Sequence, residues 1–430
     1  MFNHNDYIFY HIYTFSLANT PFYNDYSRAG HKLGDISKWI PHIKNLGCNA
    51  VLFSPVLKSK SHGYDVTDYF QIDNRIGTNE EFRKLTSDFH EAGLRVMLDS
   101  VYNHCGRDFF AFDELRRGNR DYARWFSGVD FSRQSPLGDD FTYDSWSGFY
   151  ELVKFNLRDD KVKSYFMDAT RFWINEFDID GMRLDSANVM DFDFIRDLRH
   201  VVTGIKPDFW LMGEVVAGDY TCWINNSMLH SVTGYMLYKA LFSSHNNNNL
   251  YELAYTVSHS VPQSGLPHYN FLDNHDQPRI VSNVTNPAFL KTLYPLLFTL
   301  PGLPSVYYGS EWEISGKKEN GSDHPIRPYI DINKTPPETD ITRLIRKLAG
   351  IRNEHPALRY GGYKQLYLQY RRPFVFERYF EDERIVVAVS ISARDETVNS
   401  GRGNMFDMLT GETVNMTNLI IRPHSARIMI

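Results

Sequence analysis

Cysteine is scarce in this chain. Cys48, Cys105 and Cys222 are odd in number, far apart and without a CxxC spacing, which argues against a disulfide framework. A Cys–His nucleophile built from Cys105 and its neighbour His104 is disfavoured, because adjacent residues of an extended segment point to different sides. No long run of one charge sign occurs, and the net charge is only -6, so neither nucleic acid nor an acidic lipid surface is expected as a partner. The opening MFNHNDYIFYHIYTF has no basic region, no long apolar stretch and no small-residue cleavage site, so no signal peptide is expected. The one long uncharged stretch, 292–310, is interrupted by Pro295, Pro301 and Pro304. A buried helix followed by a strand suits it better than a membrane span, and a soluble cytoplasmic protein with no membrane partner is the expectation.

What is abundant points to a large folded core. Of 430 residues, 42% are hydrophobic and 23% charged, which excludes global disorder. Aromatics reach 15%; most serve packing, and some can offer flat faces to the C–H side of sugar rings. Short apolar runs bordered by Gly, Pro or Asn lie at 7–13, 49–54, 95–101, 181–185, 210–215, 231–236, 269–273 and 304–308, as strands buried on both faces do. Between them lie amphipathic segments. The stretch 36–47 closes on Gly47, and 79–93 opens on Asn79 as a cap and closes on Gly93; 161–177 and 190–202 follow the same pattern. Eight strands alternating with helices predict an α/β fold, a (β/α)8 TIM barrel, over 1–104 and 159–358. The irregular stretch 105–158 reads as an inserted domain after the third strand. From 359 to 430 the pattern turns to β, as in FVFERYF and RIVVAVSIS, and predicts a C-terminal antiparallel β-sandwich. The Asn246 to Asn249 run is expected in an exposed loop.

Four of the strand ends carry chemistry: DSVYNH (99–104), GMRLD (181–185), GEV (213–215) and FLDNHD (271–276). They offer Asp185, Glu214 and Asp276, flanked by His104, Arg183 and His275. Glycoside hydrolysis needs clustered carboxylates of different pKa, and strand ends of a barrel can bring them to one mouth.

In this order the four segments resemble the conserved regions of the α-amylase superfamily of glycoside hydrolases. Finer features are similar to its neopullulanase, cyclomaltodextrinase and maltogenic amylase group: GYDVTDYFQID (63–73) after the second strand, Ala187-Asn188 after GMRLD, Asp323 and Arg327 after YYGSE, and LVKFNL (152–157) at the end of the insertion. The resemblance makes the insertion domain B and the C-terminal unit domain C. It implies Asp185 as nucleophile, kept ionised by Arg183 on the same side of the strand, and Glu214 as general acid/base, its pKa raised by burial and the nearby Asp. It implies Asp276, His275 and His104 as ligands of the sugar being cleaved, Tyr64 stacked on that sugar, and Asn188, Asp323 and Arg327 as further substrate contacts. Retention is expected, with the two reacting carboxyls about 5–5.5 Å apart. No cofactor is needed for the chemistry. For a structural calcium ion, Asn103 matches a typical ligand, whereas Val189 stands where many α-amylases have a His that helps hold the ion. The group's third region usually continues with Trp-His, here Val216-Ala217, and its members usually carry an additional N-terminal β-domain, whereas this sequence begins almost at its first strand.

The expected activity is hydrolysis of α-1,4 bonds in maltooligosaccharides, cyclodextrins, and pullulan or starch, with some transglycosylation. An endo-acting α-amylase, a glucanotransferase or an α-1,6-glucosidase would use the same three carboxylates. A non-catalytic binding scaffold is the reading from another class; such relatives lack one or more of the carboxylates, and all three are present here.

Overall fold

The computed structural model describes all residues except 1–2, 28, 261–266, 336–337 and 402. Among the described residues, eight parallel strands form one sheet: β1 (Phe9–Ile12), β2 (Ala50–Phe53), β3 (Arg95–Ser100), β4 (Gly181–Leu184), β5 (Trp210–Gly213), β6 (Ser231–Val232), β7 (Tyr269–Phe271) and β8 (Leu303–Tyr307). The order is β6-β5-β4-β3-β2-β1-β8-β7, and a parallel bridge between Thr233 and Tyr269 joins the two edges. The sheet is therefore closed, as the alternation of strands and helices predicts. No helix among the described residues is long and apolar enough to cross a membrane.

The two-residue period of a strand explains where the site lies. Phe9, Leu52, Met97 and Met212 pack with Trp210, Tyr269 and Phe271 in a core inside the barrel, whereas Tyr10, Val51, Phe53, Val96, Leu98 and Leu211 pack outward under the helices. One period further along, the inward positions become His11, Ser54, Asp99 and Glu214. The barrel interior is thus apolar through its lower layer and polar at its C-terminal mouth. Gly213, next to Glu214, has no room for a side chain: a Cβ would lie 2.4 Å from Leu229 Cδ1 and 2.8 Å from Ala187 Cβ.

The helices depart from expectation in places with physical causes. The segment 36–47 is two helices, Leu33–Ser37 and Ile40–Asn45, because Pro41 has no N–H to continue the first. The cap of Asn79–Glu91 is Thr78, whose hydroxyl accepts from Glu81 N while its own N–H donates to the Glu81 carboxylate. Asn79 instead ties the preceding strand, accepting from Ile72 N and donating to Phe70 O. The strand expected at 231–236 stops at Val232, and a helix, Tyr235–Asn246, starts at once. The uncharged stretch folds as expected, into Leu290–Thr299 followed by β8.

After β3 the chain forms a three-stranded sheet, His104–Gly106, Ser145–Trp146 and Phe149–Lys154, with the last in the centre. Near the C-terminus a six-stranded sheet and the pair Glu396–Val398 and Leu419–Ile421 enclose Val375, Val386, Ala388, Val398, Leu419, Ile421 and Met429. Arg378 joins this unit to the barrel, and Arg352 ties together the barrel segments beside it. Arg378 donates to Thr299 O, Gly361 O and Gly362 O at 2.6, 2.7 and 3.1 Å. Arg352 donates to Phe298 O, Leu358 O and Gly302 O. Burial pushes both guanidinium groups down to about 9, which leaves them charged at pH 7.

Two predictions follow from this packing. Arg378→Met strands one buried and two half-buried carbonyls, each charge-assisted bond being worth roughly 1.5–3 kcal/mol against the cost of burying the cation; urea denaturation should show a net loss of about 2–4 kcal/mol. Burial also lowers His104 to about 3, and His245 and His268 to about 4. Their folded values lie below the unfolded value near 6.5, so the unfolded chain binds the extra protons. Stability should be full above about pH 7 and fall as pH drops from 6.5 toward 4, by up to ~1.4 kcal/mol per pH unit for each histidine. Unfolding midpoints at several pH values check this, and His245→Gln should flatten the slope by about one proton.

Candidate active site

The mouth is organised around Arg183, which is buried on β4. One of its terminal nitrogens, Nη1, donates to both oxygens of Asp99, at 2.7 Å each, and lies 3.5 Å from Asp185 Oδ1. The other, Nη2, lies 3.1 Å from Glu214 Oε2. One guanidinium thus spans carboxylates from β3, β4 and β5. Burial opposes its charge, but Asp99 and Glu214 overcome this and hold its pKa well above the ordinary value.

Asp185 and Glu214 sit in different surroundings. Asp185 is buried and accepts from the Ser186 hydroxyl at 3.0 Å. Burial and the neighbouring Glu214 push its carboxyl well above the usual carboxylate range, with Arg183 opposing. The sequence reading expected Arg183 to keep Asp185 ionised; here burial and Glu214 outweigh the guanidinium. Glu214 accepts from Ser186 N at 2.9 Å and from the Tyr235 hydroxyl at 3.3 Å.

Asp276 belongs to a second ion network. Its Oδ1 lies 3.0 Å from Arg327 Nη2, and its Oδ2 lies 2.9 Å from His275 Nε2. Burial would raise its pKa, but His275, Arg327 and Arg183 outweigh this and hold it well below the usual range. Arg327 also donates to Asp323 at 2.8 Å, to His275 O at 2.8 Å and to the Tyr13 hydroxyl at 3.2 Å. The Asp323 and Arg327 pair is therefore joined directly to Asp276.

The remaining expected residues line the same mouth, with two exceptions in detail. Tyr64 stacks on His275 at 5.5 Å, and its hydroxyl lies 2.9 Å from Asp99 Oδ2. His104 is buried beside Trp146, with ring centroids 5.8 Å apart; its Nε2 has no protein partner. Asn188 is exposed, and its backbone N–H donates to Glu214 O. Asn103 is buried with its side-chain amide nitrogen 3.2 Å from His104 Nδ1. Among the described residues no three His, Cys, Asp or Glu side chains gather as metal ligands, and Val189 offers only an exposed apolar side chain. Val216, in place of an aromatic, is likewise exposed.

Sequence reasoning passed over Asp99, Tyr235, Ser186 and Trp146 as members of the site. Asp99 had a signal: an acid in the apolar run RVMLDS, in phase with inward Met97, demands a buried cation. Tyr235 follows the sixth strand end without a motif. Ser186 and Trp146 meet only through the fold, with Trp146 Nε1 donating to Ser186 Oγ at 2.8 Å.

Comparison with known proteins gives a consistent result. Residues 11–357 match the family model described as alpha amylase, catalytic domain. A maltogenic alpha-amylase of Bacillus acidopullulyticus is 33% identical over 340 residues, covering 76% of this chain and 57% of that protein. A cyclomaltodextrinase of Thermoanaerobacter pseudethanolicus is 30% identical over 419 residues, covering 93% of this chain and 71% of that protein. The chain thus spans little more than half the length of the first of these relatives. Among solved structures, a cyclic α-maltosyl-(1→6)-maltose hydrolase from Arthrobacter globiformis superposes with a TM-score of 0.83 at 25% identity, covering 99% of this chain and 98% of that one.

The Arg327 network makes a direct prediction. Arg327→Gln removes a cation that depresses the Asp276 carboxyl, so Asp276 should take its proton at higher pH. At neutral pH kcat/KM should fall about 10- to 100-fold, as expected for losing a charge-assisted contact. Steady-state kinetics on the pure variant check this.

Proposed function

The chain belongs to the α-amylase catalytic-domain family, and from that premise we propose that it is a retaining α-glucan hydrolase. In this reading 105–158 is domain B and 359–430 the C-terminal β-domain of that enzyme. Asp185 attacks the anomeric carbon of the sugar on the glycone side. Glu214 gives a proton to the departing glycosidic oxygen. The glycosyl–Asp185 ester then meets water, deprotonated by Glu214, and is released with its original configuration. Another sugar hydroxyl can take the place of water, which gives transglycosylation.

The observation that carries this reading is the shared guanidinium. Arg183 holds Asp185 and Glu214 in one small region at the barrel mouth, as a nucleophile and an acid/base acting on one bond must be. Attack requires the proton on Glu214 and a charged Asp185. Asp276, held ionised by Arg327 and His275, is suited to two adjacent sugar hydroxyls and to the positive charge that develops on the ring. General acid–base assistance of this kind is worth about 10²- to 10⁴-fold.

For substrate we propose maltooligosaccharides and cyclodextrins ahead of starch, because Asn188 and the Asp323 and Arg327 pair follow the cyclomaltodextrinase-like pattern. Two measurements test the proposal. Asp185→Asn should fold normally and lose at least about 10⁴-fold in kcat, as nucleophile removal does; full activity in that variant would remove Asp185 from its role. Initial rates of reducing-end release at equal sugar concentration should favour β-cyclodextrin over soluble starch. A clear preference for starch would replace the cyclodextrin reading with that of an open-cleft endo-acting α-amylase.

A further inference from the structure

Ser186 touches both reacting carboxyls, and nothing in the mechanism above uses its side chain. It follows β4 at φ 51 and ψ 35, the left-handed region that a residue with a Cβ resists. This turn lets its N–H donate to Glu214 Oε2 at 2.9 Å while its hydroxyl lies 3.0 Å from Asp185 Oδ2. The hydroxyl has a second contact, from Trp146 Nε1 at 2.8 Å. An indole N–H only donates, so it occupies a lone pair of Ser186 Oγ and leaves the hydroxyl proton for Asp185. Trp146 comes from the insertion, 40 residues earlier in the chain, where it stacks on the exposed Phe149 with ring centroids 5.9 Å apart.

We propose that Ser186 is a positioning residue whose hydroxyl, oriented by Trp146, holds Asp185 in its attacking rotamer. The insertion thereby acts on the chemistry as well as on the shape of the cleft. A hydroxyl that donates to a carboxylate also favours its charged form, so the same contact opposes the rise that burial imposes on Asp185. The inference rests on the reading of Asp185 as nucleophile.

The test uses the full chain and two variants. Ser186→Ala keeps the backbone N–H on Glu214 and removes only the hydroxyl. It should lower kcat about tenfold, as loss of a hydrogen bond to a charged group does, with KM changed less than about twofold. The acid limb of its kcat/KM profile should rise by about half a pH unit or more. Trp146→Phe keeps an aromatic ring and removes the N–H; it should give a smaller effect of the same sign, and it carries the test if Ser186→Ala fails to fold. Wild-type kcat together with an unmoved acid limb in a folded Ser186→Ala would overturn the proposal. Inactivation by 5-fluoro-α-glucosyl fluoride separates the two readings. A label on Asp185, acquired more slowly in Ser186→Ala, supports both. A label on Asp185 acquired at the wild-type rate overturns the role of Ser186 alone. A label on another residue overturns the nucleophile and this proposal with it.

Discussion

A single buried cation underlies the arrangement of the mouth. Arg183 holds Asp99 with two bonds of 2.7 Å and reaches Asp185 and Glu214 with its remaining capacity. Three carboxylates at the tops of adjacent strands would repel one another in a poorly solvated space. The guanidinium compensates that repulsion, and its planar fork fixes where each carboxylate can lie. The arrangement is finely balanced: burial and Glu214 drive Asp185 toward protonation, and Arg183 and Ser186 resist.

The rest of the mouth is hung from this cluster. Tyr64 bridges from Asp99 to His275, and His275 leads to Asp276 and Arg327, so the Arg183 and Arg327 networks are continuous. The insertion is fastened beneath it. Phe155 N donates to Asn103 O, and the Tyr69 hydroxyl donates to Val101 O and His104 O. These bonds set the backbone that presents His104, and they give LVKFNL and GYDVTDYF a structural reason.

Much of this was legible in the sequence because strand period and charge are local. The run VMLDS contains an acid in phase with Met97, and GMRLD sets Arg183 and Asp185 on one side; both patterns survive folding. The eight strands were each located, with no end in error by more than four residues. What failed had a local competitor or no local signal. Pro41 split a helix that periodicity alone would extend. Thr78 took the cap from Asn79 because a Glu stands three residues on at position 81, completing a capping box, while Asn79 was needed by the strand before it. The contact of Trp146 with Ser186 joins residues 40 positions apart in sequence, across an irregular loop that no periodicity describes. The rise of the Asp185 carboxyl depends on how deeply it is buried and on how near Glu214 lies, and a sequence gives neither.

The central claim is that Asp185 and Glu214, held by one guanidinium, act as nucleophile and acid/base in a double displacement. The most direct test is the anomeric configuration of the first product. Proton NMR of maltooligosaccharide hydrolysis, recorded before mutarotation, should show the α-anomer of the new reducing end appearing first. Initial release of the β-anomer would mean that water attacks directly, that the two carboxyls work at the wider spacing of an inverting pair, and that Asp185 is not the nucleophile.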